Sequence, residues 1–132
     1  GLYKLLDKLC DGFPHILFES CSSGGNRYDL GMLYYMPQTW VSDNTDAVVR
    51  KEIQYGTSMI YPLSTMANHV SASPNQQTFR QTPLETRFNV ACYGVLGYEL
   101  DLTKLTSIEK KTIKDNVSLL DSNISFETIV LG

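Results

Sequence analysis

Apolar residues at Leu2, Leu5, Leu6 and Leu9 recur at helical spacing, and Asp11-Gly12 ends the run, so the chain is expected to open on an amphipathic helix. After Pro14, the short apolar stretch His15-Ile-Leu-Phe18 predicts a buried strand. It leads into the polar, glycine-bearing loop Glu19-Ser-Cys-Ser-Ser-Gly-Gly-Asn26. Tyr28 to Tyr35 is mixed, with room for one or two helical turns, and Met36-Pro-Gln-Thr-Trp-Val41 reads as a second short strand. A helix is predicted from about Ala47 to Tyr55, with Val48, Val49 and Ile53 facing inward, Arg50, Lys51 and Glu52 outward, and Gly56 as its stop.

Ser58-Met-Ile-Tyr61 is the third predicted strand, followed by a long loop through His69, Pro74 and Asn75. Thr82-Pro-Leu-Glu85 has the form of a capping box with proline at the first helical position, and predicts a helix start. Gly94 to Leu102 supplies a fourth strand. Thr106-Ser-Ile-Glu109 repeats the capping pattern ahead of a helix carrying Ile108, Ile113, Val117 and Leu120. Strands alternating with helices imply an α/β fold with a parallel sheet and crossover helices. Four parallel strands leave two edges and much of one face open, so the pattern reads as half of a larger architecture.

Composition narrows the function classes. The 132 residues carry Lys+Arg 11 against Asp+Glu 14, with 42% hydrophobic and 19% charged residues, which is ordinary globular chemistry. The acidic balance and scattered basic residues argue against a nucleic-acid surface. No apolar run approaches the roughly 18–20 residues that cross a bilayer. Lys4, Asp7 and Lys8 interrupt the opening segment, which therefore lacks the form of a secretory signal. Cys10, Cys21 and Cys92 form no C-x-x-C pair, which argues against a disulfide scaffold or zinc ribbon and for a reducing, cytoplasmic setting.

Parallel α/β folds place chemistry on the loops after the carboxyl ends of strands, and three polar clusters occupy such positions. The first runs from Glu19 to Asp29; its glycines allow close backbone approach to a ligand, although a tight turn explains them equally well. The second is Trp40-Val-Ser-Asp-Asn-Thr-Asp46, where an indole beside carboxylates suits a sugar ring. Asp46 is best explained as a helix cap, while Asp43 lies too far ahead of the helix for that and is the acid nominated for proton transfer. The third cluster contains His69. With no second histidine nearby, a hydrogen-bonded loop histidine is preferred there over a base or metal ligand, and His15 is read as structural. No G-x-S-x-G elbow or G-x-x-x-x-G-K-[ST] phosphate loop is present.

These words, in this order, resemble the bacterial retaining α-galactosidases of glycoside hydrolase family 36. The resemblance is carried by Phe18-Glu-Ser-Cys-Ser-Ser-Gly-Gly-Asn-Arg-Tyr-Asp29, Gly31-Met-Leu-Tyr-Tyr-Met-Pro-Gln-Thr-Trp40 and Ser42-Asp-Asn-Thr-Asp-Ala47. It continues through Ile53-Gln-Tyr-Gly-Thr57, Tyr61-Pro-Leu-Ser64, His69-Val-Ser71, Thr82-Pro-Leu-Glu-Thr-Arg87 and Leu96-Gly-Tyr-Glu-Leu-Asp-Leu-Thr103. Ser23 and Asn26 stand where the family usually has glycines, and the chain matches poorly from about Val117 onward.

The resemblance implies that residues 1–120 form the C-terminal half of a (β/α)₈ barrel, strands five to eight, followed by a divergent tail at 121–132. It places the general acid/base on Asp43 and galactose-pocket roles on Cys21 and Gly24. It implies α-galactoside substrates such as melibiose or raffinose, no metal or cofactor, and no nucleic-acid or membrane partner. The family's nucleophilic aspartate sits in a Lys-x-Asp word that is absent from this chain. The fragment alone is therefore expected to be inactive and to need the other barrel half, or another copy, to cover its edges. The competing expectation is a non-catalytic sugar-binding or oligomerising half-barrel.

Overall fold

The structure is a computed structural model. It describes residues 1–21, 26–123 and 130–131, with side chains as far as residue 120. Helix α1 (Leu2–Gly12) opens the chain and buries Leu6. Strand β1 (Glu19–Ser20) follows, then the short helix α2 (Leu30–Tyr35), capped by the Asp29 carboxylate, which accepts from the Met32 N–H. Strand β2 (Gln38–Trp40) leads to helix α3 (Ala47–Ser58). A 3₁₀ turn at Leu63–Thr65 precedes strand β3 (Met66–Ser71), which is followed by helix α4 (Leu84–Ala91) and strand β4 (Val95–Glu99). Helix α5 (Ser107–Asn123) and strand β5 (Val130–Leu131) complete the described chain.

The strands form one sheet in sequential order, β1-β2-β3-β4-β5, with every neighbouring pair parallel. Sequential parallel order requires a crossover between each pair, as the alternating pattern implied. Val70 on β3 and Tyr98 on β4 pack with Phe88 and Ala91 of α4, and Ile113, Val117 and Leu120 of α5 cover the same cluster. Fully burying an apolar side chain such as Val70 contributes about 1.5–3 kcal/mol, so this helix-covered face anchors the sheet. Among the described residues, no helix is long and apolar enough to cross a membrane.

Several local expectations shift. The predicted first strand at 15–18 lies just ahead of β1, which forms from Glu19-Ser20, residues read as loop. The predicted third strand, Ser58–Tyr61, falls instead at the end of α3 and the turn beyond it, where Met59 and Ile60 are exposed. The strand is Met66–Ser71, read from sequence as loop. Asn68 and Ser71 make it look polar, yet both are buried and hydrogen-bonded. Polar groups with partners tolerate burial, so hydropathy alone concealed this strand.

In α3 the expected faces are partly exchanged: Arg50 is buried and Val48 exposed, and the helix continues past Gly56 to Ser58. At α4 no side chain caps the amino end, and Thr82 instead accepts from Arg87 Nε at its carbonyl. The Thr106–Glu109 capping box does form: Thr106 Oγ1 accepts from the Glu109 N–H at 3.2 Å, and Glu109 accepts from the Thr106 N–H at 2.9 Å. Ile108, in the first turn of α5, is exposed. Beyond the four expected strands, β5 joins the β4 edge from within the segment read as a tail.

Urea unfolding of the purified chain provides a check on these faces. Phe88→Ala should destabilise by about 3–5 kcal/mol through the cavity it opens in the helix-covered cluster. Val48→Ala should change stability by less than about 0.5 kcal/mol, because the side chain is exposed at the helix surface.

Candidate active site at the carboxyl ends of the strands

In a parallel sheet all carboxyl ends share one edge, and side chains alternate between faces along each strand. Val70 and Tyr98 point to the helix-covered face. The registers Trp40↔Ala67, His69↔Gly97 and Ser71↔Glu99 therefore put Trp40, His69, Gly97 and Glu99 together on the opposite face. Ser20 pairs with Thr39, so Cys21 emerges beside Trp40, with Asp43 three residues further on.

Trp40 is flanked by two basic groups. The Arg50 guanidinium lies 4.2 Å from the ring centroid, a cation–π contact, and the His69 ring centroid is 4.5 Å away at a 46° tilt. Arg50 Nη2 donates to the Ser42 carbonyl at 2.7 Å and Nε donates to the Asn44 carbonyl at 2.8 Å. One buried side chain thus fixes two peptide units of the loop after β2. Burial lowers the guanidinium pKa to about 10, while the nearby charges of Glu99 and Asp43 raise it, so Arg50 remains a cation at neutral pH.

Burial first, and the Arg50 charge second, hold His69 below its ordinary 6.5. Burial pushes the Glu99 carboxyl up, opposed by Arg50. His69 Nδ1 stands 4.0 Å from Glu99 Oε2, beyond hydrogen-bond reach, and the imidazole is neutral at neutral pH, so the contact is not an ion pair. Gly97 makes this arrangement possible. A Cβ there would lie 2.4 Å from His69 Cδ2 and 2.6 Å from Nε2, in the space the imidazole occupies.

The structure places the nominated residues as follows. Asp43 is exposed in the loop after β2, its carbonyl accepting from Gln77 Nε2 at 2.7 Å. Cys21 is exposed immediately after β1, on the neighbouring strand end. Gly24 lies outside the described residues. Asp46 caps α3, accepting from the Val48 N–H at 2.8 Å. It is buried, and there it also accepts from the Thr78 hydroxyl and pairs with Arg80 Nε at 3.2 Å. Burial pushes its carboxyl up, but those hydrogen bonds and Arg80 outweigh it, so the group sits below the ordinary carboxylate range. His69, read as a loop histidine, belongs to β3, and His15 is exposed in the turn after α1.

Sequence reasoning missed Arg50, Glu99 and Gln77. Glu99 was accessible, because strict alternation in the fourth strand puts it on the face of Gly97. Arg50 was not, since helical periodicity assigned it to solvent. Among the described residues, no three His, Cys, Asp or Glu side chains converge as a metal site.

A parallel α/β sheet that carries an acid, an indole and a thiol on its strand-end loops presents polar groups where such folds place their sites. The chain belongs to the melibiase family, whose model matches residues 1–129. It is 62% identical over 118 residues to α-galactosidase AgaA of Geobacillus stearothermophilus, covering 89% of this chain and 16% of that protein. It is likewise 62% identical over 117 residues to α-galactosidase 1 of Pediococcus pentosaceus, covering 89% of this chain and 16% of that one. The crystal structure of a doubly substituted AgaA, a glycoside hydrolase family 36 α-galactosidase, in complex with raffinose superposes with a TM-score of 0.89 at 59% identity, covering 92% of this chain and 17% of that one. The chain therefore spans about one-sixth of the length of these relatives.

Trp40 is the single tryptophan, so its fluorescence should report the protonation of His69. The midpoint should fall below 6.5 and be absent in His69→Gln. Replacing Arg50 with Gln removes a neighbouring positive charge and should move that midpoint upward; a midpoint that stays or falls would contradict the electrostatic arrangement.

Proposed function

We propose that this segment is the C-terminal half of the catalytic (β/α)₈ barrel of a retaining α-galactosidase, with β1 to β4 as barrel strands five to eight. Its sequential parallel order supports this reading, and the parallel pairing of β5 marks the β4 edge as one that accepts a further strand. In this reading Asp43 is the general acid/base. It protonates the glycosidic oxygen as an aspartate nucleophile outside this segment attacks the anomeric carbon, and then takes a proton from the water that releases the sugar. Cys21 and Gly24 line the galactose pocket. Arg50 and His69 hold Trp40 and the Asp43 loop in place without taking part in bond making.

The observation that carries the proposal is the β1–β2 register, which sets Cys21 and the Asp43 loop on adjacent strand ends. The substrates are terminal α-galactosides of oligosaccharides, in keeping with variants of the relative AgaA crystallised with raffinose and stachyose. Every named relative cited above is an α-galactosidase, which favours catalysis over a purely sugar-binding role. The segment supplies one of the two carboxylates, so alone it is inactive.

A chimera tests this. The 118 residues that match Geobacillus AgaA, exchanged for the corresponding sixth of that enzyme, should give an enzyme that cleaves raffinose. Asp43→Asn in it should lower kcat by about 10²–10⁴-fold. A folded but inactive chimera, or an Asp43→Asn variant of undiminished activity, overturns the assignment. Hydrolysis of an aryl α-galactoside by the 132-residue chain alone overturns the claim that the nucleophile lies elsewhere.

A further inference from the structure

The five residues Ser42–Asp46 carry Asp43 across the gap between β2 and α3, and two side chains grip their backbone. Arg50 binds the carbonyls of Ser42 and Asn44. Gln77, on the loop after β3, takes the alternate groups: its Nε2 donates to the Asp43 carbonyl at 2.7 Å and its Oε1 accepts from the Thr45 N–H at 3.0 Å. This is the pairing that a neighbouring parallel strand would offer across Asn44. The side-chain amide thus extends the sheet's hydrogen bonding over the acid loop.

Gln77 is itself held by a built turn. Asn75 is 3% exposed; its Oδ1 accepts from the N–H groups of Gln77 at 2.9 Å and Thr78 at 3.0 Å, while its Nδ2 donates to Thr45 Oγ1 at 3.0 Å. The Asn75 N–H donates to the Arg80 carbonyl at 2.9 Å, and the Phe79 N–H donates to the Asn75 carbonyl at 2.9 Å. Phe79 takes a positive φ of 57°, a costly conformation for a bulky residue that only a well-held turn sustains. Thr78 and Arg80 anchor the far side of the turn on Asp46. The loop after β3 therefore binds the Asp43 loop at Asp43, Thr45 and Asp46 through hydrogen bonds and an ion pair.

We infer that Gln77 is a positioning residue for Asp43, fixing the peptide on its carboxyl side so that the carboxyl is aimed at the leaving oxygen. This rests on the acid/base role proposed for Asp43. An exposed acid on a short loop needs such a fixture. Freeing the Asp43 and Thr45 peptide groups restores backbone freedom, and misplacement of a catalytic group by about 1 Å can cost roughly 10²-fold.

The experiment uses the AgaA chimera, with kcat/KM measured on raffinose, a poor leaving group, and on a nitrophenyl α-galactoside, whose leaving group needs little protonation. Gln77→Ala should lower kcat/KM about 10–100-fold on raffinose and less than about threefold on the aryl substrate. Gln77→Glu keeps the acceptor but sets a carboxylate oxygen against the Asp43 carbonyl, and should lose at least as much raffinose activity as Gln77→Ala. Equal losses on both substrates, a raffinose rate that is unchanged, or loss of folded protein in both variants would overturn the inference. Asp43→Ala is measured in parallel. If it lacks the same substrate-selective loss, the acid/base reading fails; if it shows that loss and Gln77→Ala does not, only the positioning role fails.

Discussion

The guanidinium of Arg50 is buried where α3, the end of β2 and the loop between them meet, and the candidate site depends on how that charge is accommodated. An isolated cation removed from water is costly, and it persists only where hydrogen bonds and nearby opposite charge compensate. Here the compensation comes from the Ser42 and Asn44 carbonyls, the face of Trp40, and the more distant carboxylates of Asp43 and Glu99. Each partner is a piece of the strand-end surface, so satisfying one charge orients the loop, the indole and the local field together. Burial lowers the pKa of His69, and the same cation lowers it further.

Around this centre the molecule divides into two faces with different work. On one, Val70, Tyr98, Phe88 and the apolar residues of α5 form a packed layer that fixes strand against helix. On the other, Trp40, His69 and Glu99 stand side by side, with Gly97 leaving the room that the imidazole fills. Period-two alternation makes the separation automatic once the register is set, so the packing of the helices decides which groups can face a substrate.

Asp43 and Asp46, separated by only two residues, show how environment assigns roles to identical side chains. Asp46 is buried, bonded to the amino end of α3, to Thr78 and to Arg80, and its capacity is filled by structure. Asp43 is held by its backbone while its carboxyl lies at the surface of the strand-end edge. One carboxylate is fully engaged in holding a loop, whereas the other has its peptide anchored and its side chain open to solvent.

By itself the sequence determined the alternation of strands and helices, the parallel sheet, the cap at Asp46, the capping box at Thr106 and the position of Asp43 ahead of α3. These are legible because they depend on local spacing, on hydrogen bonds within a few residues, and on the period of apolar side chains. It did not determine that Met66–Ser71 is the third strand, that Arg50 turns inward or that Gln77 reaches the Asp43 loop. The Gln77 contacts span 32 and 34 residues, and the others depend on polar groups finding partners across elements. Hydropathy treats a buried, fully bonded polar side chain and a solvated one alike, and only the assembled tertiary structure distinguishes them.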